Sequence, residues 1–174
     1  MFYRAESFNQ SLNNWDVSNV TNMSNMFSGA ESFNQPLNNW DVSNVKKMLG
    51  MFSWTGSFNQ YINNWKVSNV TDMSEMFLGA ASFNQNISGW NVSSIVNMNS
   101  MFRGASSFDQ NLSNWERTKD QPLPSDSTSN ALSTSTVKNV TDMRSMFQSA
   151  REYSGSLKSL SLIHISEPTR HDRI

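Results

Sequence analysis

The sequence predicts an α/β repeat solenoid, with one short parallel strand and one short helix in each 25-residue coil. Three observations carry this: a strict internal period, an apolar spacing that changes character inside each unit, and the lack of any other device for holding so short a unit together. Met-Phe recurs at Met1-Phe2, Met26-Phe27, Met51-Phe52, Met76-Phe77 and Met101-Phe102. Trp15, Trp40, Trp65, Trp90 and Trp115 keep the same period, as do Phe8, Phe33, Phe58, Phe83 and Phe108. A period of this length means a solenoid, a propeller or a string of small modules. A propeller blade needs about 40 residues and four strands. Independent modules this short need disulfides or metal, and the chain has no cysteine. Stacked coils remain, because one coil's apolar side chains cannot offset the entropy of ordering it alone.

The elements follow in order within each unit. Leu12-x-x-Trp15-x-Val17-x-x-Val20 has the apolar spacing of a leucine-rich-repeat strand, with Trp15 and Val17 on one face and Asp16 on the other. Strands are expected near 15–17, 40–42, 65–67, 90–92 and 115–116. Val20, Met23, Met26 and Phe27 then recur at helical spacing, which predicts short helices near 21–28, 46–53, 71–78, 96–103 and 141–148. Thr21 or Ser18 can cap the first of these, and Gly29, Gly79 and Gly104 stand where a left-handed C-cap would fall. Ser-Phe-Asn-Gln makes the return turn. Its Phe belongs to the core, and its Asn and Gln suit hydrogen bonding of turn backbone from coil to coil. The five periodic tryptophans are expected to form a buried stack, with Trp54 outside it and exposed.

The unit MFxGAxSFNQxLNNWDVSNVTNM resembles the repeat of BspA-like leucine-rich-repeat surface proteins, a repeat also found in mycoplasma-type surface lipoproteins. The resemblance covers residues 1–116 and 137–157. It implies a right-handed solenoid at a cell surface, extracellular, with adhesion or protein binding as its role. It supplies no catalytic residue to carry over. Trp54 departs from the pattern by replacing the capping glycine, and Arg117 stands where Val is expected.

Four segments result. Residues 1–116 are repeats, 117–136 an inserted loop, 137–159 a final partial repeat, and 160–174 a tail where the pattern vanishes. The insertion carries Pro122, Pro124 and many Ser and Thr without hydrophobic periodicity, as either a binding loop or a solvated insertion would. Met1 occupies a column that is Met in every copy, so it reads as an internal residue with sequence missing upstream. The tail LSLIHISEPTR is similar to the in-frame translation of a sequencing adapter, the other reading being a diverged terminal cap.

A net charge of −1 with only 16% charged residues makes no electrostatic case for nucleic acid. No apolar run reaches the roughly 18–20 residues of a membrane helix. Both histidines, His164 and His171, fall in the tail, so the repeats offer no nucleophile–base pair, no metal-ligand cluster and no cofactor motif. The expectation is a non-enzymatic module that binds a protein or glycan at a cell surface, the alternative being a stalk or spacer. Candidate contacts are positions that vary between repeats. Trp54 and Tyr61 are exposed-type aromatics in one coil, able to anchor proteins or sugars or to adjust local packing. The column Asp16, Asp41, Lys66, Asn91 and Glu116 changes charge from coil to coil, so it is not a ladder of metal ligands. Seven Asn-x-Ser/Thr sequons, beginning at Asn19, Asn22, Asn69, Asn86, Asn91, Asn111 and Asn139, read as a by-product of the repeat or as glycan acceptors.

Overall fold

Each repeat makes one coil, and each coil rests on the next through a backbone ladder. The computed structural model describes residues 1–116, 141, 142 and 144–150. The N–H groups of Met23, Asn25, Phe27 and Gly29 donate to the carbonyls of Lys47, Leu49, Met51 and Ser53 at 2.7–3.0 Å. Met48, Gly50, Phe52 and Trp54 do the same to Asp72, Ser74, Met76 and Leu78. Parallel bridges mark a single paired position per coil, at Asn22, Lys47, Asp72, Asn97 and Asp142.

This is not the expected α/β architecture. Among the described residues there is no α-helix and no strand, and a short 3-10 turn at Ser113–Glu116 is the sole regular element. The leucine-rich-repeat-like right-handed solenoid of one strand and one helix per coil is therefore set aside. The segments expected as helices carry the ladder instead; of those expected as strands, 15–17, 40–42, 65–67 and 90–92 lie between turns and 115–116 falls in the 3-10 turn.

The reason lies in how the backbone N–H groups are shared. In the ladder segment alternate groups leave for the next coil, so no run of helical bonds can form. Several of the others close β-turns three residues back: Met26 to Met23, Ala30 to Phe27, Phe33 to Ala30. Trp40 to Leu37, Val45 to Val42 and Met51 to Met48 continue the pattern around the coil. The first and last residues of each of these turns pack in or against the core, so apolar residues recur at a spacing of three. Asn25 sits in the middle of the first expected helix with φ 57°, a left-handed conformation that a helix interior does not tolerate. Gly50, Glu75 and Ser100 repeat it. The positive φ expected at Gly29, Gly79 and Gly104 is present, but there it closes a ladder turn and not a helix.

The core is a double row of phenylalanines. Phe2, Phe27, Phe52, Phe77, Phe102 and Phe147 stack with ring centroids 5.4–5.7 Å apart. Phe8, Phe33, Phe58, Phe83 and Phe108 form the second row at 5.8–6.1 Å. Within each coil the two rows meet at 3.9–4.2 Å. These are all 11 phenylalanines of the chain. Beside them Trp40, Trp65, Trp90 and Trp115 are buried. Their indole N–H groups donate to the carbonyls of Leu12, Leu37, Ile62 and Ile87 in the preceding coil. Trp15 is the exception to the expected buried stack, at 43% exposed. The described residues hold no earlier coil to cover it or accept its N–H.

A polar ladder runs along the return turns, as their Asn and Gln suggested. The Oδ1 atoms of Asn9, Asn34, Asn59 and Asn84 accept the N–H of Asn34, Asn59, Asn84 and Asp109 at 2.9–3.0 Å. The same atoms accept the side-chain amides of Gln35, Gln60, Gln85 and Gln110 at 2.8–3.0 Å. The backbone ladder also crosses the interruption in the repeats. Met98, Ser100, Phe102 and Gly104 donate to Asp142, Arg144, Met146 and Gln148. The offset along the chain grows from 24 residues (Met73 to Asn97) to 44 (Met98 to Asp142), and the register is otherwise unchanged. The expected loop 117–136 and tail 160–174 lie outside the described residues.

Candidate functional site

Every coil places one residue of positive φ just after its Met-Phe pair and one further residue. That column reads Arg4, Gly29, Trp54, Gly79, Gly104 and Ser149, with φ between 57° and 73°. Glycine adopts this conformation freely, whereas a side chain costs about 1 kcal/mol or more. Trp54 takes it at φ 57° and remains 60% exposed. Its indole lies across Gly79: a Cβ added there would sit 2.5 Å from Trp54 Cε3 and 2.8 Å from Cζ3. The glycine in the following coil is what lets the ring lie flat. Thr55, next in the chain, is fully buried and donates its hydroxyl to the Phe27 carbonyl at 3.0 Å. The base of the tryptophan is therefore fixed while its ring stands in solvent.

On the other side of Trp54 lies a cleft of about 390 Å³, lined by Tyr3, Arg4, Glu6, Ser28, Gly29, Glu31 and Trp54. Gly29 lies in the same column between Arg4 and Trp54, where a Cβ would come within 3.2 Å of Arg4 Cα. Tyr3 is 61% exposed. The side chains of Tyr3, Arg4, Glu6, Ser28 and Glu31 make no hydrogen bond or ion pair with another described residue. The cleft thus offers two carboxylates, a guanidinium, two hydroxyls and two aromatic rings, and none of the carboxylates, the guanidinium or the hydroxyls is hydrogen-bonded to another described residue.

The residues singled out from the sequence are scattered. Trp54 lines the cleft. Tyr61 is 56% exposed but is not among its lining residues. Asp16 spends its carboxylate on its own turn, accepting the N–H and hydroxyl of Ser18 at 3.0 and 2.6 Å. Those bonds hold its carboxyl below the usual range. Ser43 does the same for Asp41, where Lys66 adds a smaller push downward and Asp16 a small one upward. Asn91 accepts from the N–H and hydroxyl of Ser93. Lys66 is exposed, and Glu116 ends the 3-10 turn. Asp16, Asp41 and Asn91 thus build their own turns, and the column does not converge on one site. Some sequon asparagines have similar duties: Asn22 and Asn86 close their own turns, and Asn69 donates to the Ser43 carbonyl.

The sequence reading missed Tyr3, Arg4, Glu6, Ser28 and Glu31. Arg4 shares Trp54's column and the others stand one or two positions from it in the two preceding repeats, but the period alone does not say that these columns share a face. Among the described residues no group of three or more His, Cys, Asp or Glu could hold a metal ion. None of their helices is long and apolar enough to cross a membrane.

A family model described as "Mycoplasma protein of unknown function, DUF285" matches residues 1–77, 48–130 and 124–169. No curated protein and no solved structure matches the chain.

Proposed function

The chain belongs to the Mycoplasma DUF285 family, and from that premise we propose that it is a non-enzymatic repeat module, displayed at a cell surface, whose variable outward side chains bind a protein or glycan partner. The observation that carries the reading is Trp54. A large aromatic is held in a left-handed conformation, 60% exposed, in a column where three other coils have glycine. Strain retained at an exposed residue points to a use outside the fold. Kinship with BspA-like surface proteins and a role in adhesion belong to the same proposal, supported by the repeat motif.

The test is binding of the purified chain, coated on beads, to intact cells and to extracellular matrix proteins. Saturable capture that falls when Trp54→Gly and Tyr61→Ser are combined supports the module. A second reading, a spacer with no ligand of its own, draws on the many Asn and Asp side chains already committed to the backbone of their own or neighbouring turns. Failure of every surface to capture the chain would favour the spacer.

A further inference from the structure

We propose that the cleft beside Trp54 is a sugar subsite that takes a neutral pyranose ring, laid against the indole and hydrogen-bonded by Ser28, Glu6, Glu31 and Arg4. This deepens the reading of the chain as a binding module and rests on it. Three observations lead to this ligand class. The first is the mixture of groups left without partners. Glu6 and Glu31 only accept hydrogen bonds, Arg4 only donates, and Ser28 and Tyr3 do both. A cationic peptide would satisfy the carboxylates and meet repulsion from Arg4. A phosphate or other anion would satisfy Arg4 and be repelled by two carboxylates. A polyhydroxylated neutral ring serves all of them, because each hydroxyl both donates and accepts.

The second observation is Ser28. The residue is only 8% exposed and lines the cleft, and its hydroxyl has no partner among the described residues. A buried hydroxyl without a partner is costly unless something else supplies the bond. The third is the preparation of the aromatic surface. Trp54 is anchored by its backbone N–H to the Leu78 carbonyl at 2.6 Å and by its ring on Gly79, so little ordering is left for binding. The next coil carries Gly56 where the two before it have Glu6 and Glu31, and a Cβ there would meet nothing, so space beside the ring stays open. A cleft of about 390 Å³ lies at the small end of the roughly 300–1,000 Å³ typical of small-molecule sites.

The experiment titrates the whole 174-residue chain with maltose, lactose and N,N′-diacetylchitobiose at millimolar concentration, following indole N–H resonances. Octalysine and inorganic phosphate serve as the charged alternatives. At least one disaccharide should saturate and shift the Trp54 resonance. Trp54→Gly, which restores the residue of the neighbouring coils, should weaken that binding about tenfold or more, as loss of an aromatic anchor does, with the melting midpoint kept. Glu31→Gln and Ser28→Ala should weaken it several-fold, and Trp54→Phe should retain most of it. If Trp54→Gly fails to fold, Glu31→Gln and Trp54→Phe carry the test. Absence of saturable binding by every sugar, equal binding by Trp54→Gly, or preference for octalysine or phosphate would each overturn the subsite. Cell capture is measured on the same preparations. A chain that captures cells but binds no sugar loses the subsite and keeps the module, whereas one that binds neither loses both.

Discussion

Trp54 and Trp65 are the same amino acid in the same coil, and the fold uses them in opposite ways. Trp65 is 3% exposed and donates its indole N–H to the Leu37 carbonyl of the preceding coil at 3.1 Å. It stacks on Trp90 with ring planes 4° apart. Trp54 is 60% exposed, rests on a glycine and faces a cleft. One keeps the 25-residue period and the other breaks it. In a chain of near-identical coils a periodic side chain answers to its copies above and below. A side chain without copies is free to answer to something outside.

The sharpest way to break that contrast is to truncate both. Trp65→Ala should cost about 3–5 kcal/mol in chemical denaturation, as other large core truncations do. Trp54→Ala should cost less than about 1 kcal/mol, the range of exposed positions. Equal losses would mean that period does not separate inside from outside. The next largest effect lies in the polar ladder. Asn59 Oδ1 accepts both the Asn84 N–H and the Gln85 amide. Asn59→Ala should therefore cost about 1–3 kcal/mol by leaving donors unpaired, against about 0.5 kcal/mol or less for Tyr61→Ser on the surface. Thermal melts of the two variants would show the difference.

Gly79 sharpens the contrast further. Gly79→Ala should cost about 1–2 kcal/mol, from the positive φ together with displacement of the Trp54 ring. In a Trp54→Gly background the cost should shrink, leaving only the backbone contribution. A double-mutant cycle reads that coupling directly, and strict additivity would mean that the ring does not rest on Gly79.

The smallest effect concerns the last described coil. Asp142 is held down at about 2, first by hydrogen bonding from the Arg144 side chain and also by the Arg144 backbone N–H and Asn99, with burial opposing them. A carboxyl lower in the folded than in the unfolded chain stabilises above its unfolded pKa of about 4. That stability is lost as the pH falls from about 4 through about 2. The ion pair is partly solvent-exposed, 73% at Arg144 and 24% at Asp142, so the loss should be modest. Hydrogen exchange at Phe102 and Gly104, whose N–H groups bond to this coil, should rise over that interval in the wild type. Arg144→Ala should flatten the response.

Residues Phe27, Phe33, Leu37, Val42, Met48 and their copies were legible as core, because an inward side chain repeats with its coil whatever backbone carries it. The identity of the backbone was not legible. Val20, Met23, Met26 and Phe27 have the spacing of a helical face, but a succession of β-turns produces the same spacing of three. The left-handed residue at Asn25 separates the two, and it carries no glycine to announce it, while Glu75 and Ser100 announce it no better. For the cleft, Trp54 was legible as a break in pattern. Glu6, Glu31 and Ser28 were not, because they come from the two preceding coils. Knowing that they share a face with Trp54 required the ladder register from Arg4 through Gly29, which periodicity alone does not supply.

The ladder that passes from Met98 to Asp142 treats twenty additional residues as though they were absent. In engineering terms, the corner that carries the insertion expected at 117–136 is a grafting port. Among the described residues, the coils on either side meet through backbone bonds and the Phe102–Phe147 ring contact. The entropy of closing a flexible loop grows only with the logarithm of its length, about 0.6 kcal/mol for each doubling. A foreign peptide could therefore be spliced at that corner, or the native segment exchanged for another, with little change to the stack. One residue added within a coil would shift every column behind it by one place, turning Phe out of its row and Asn out of its ladder.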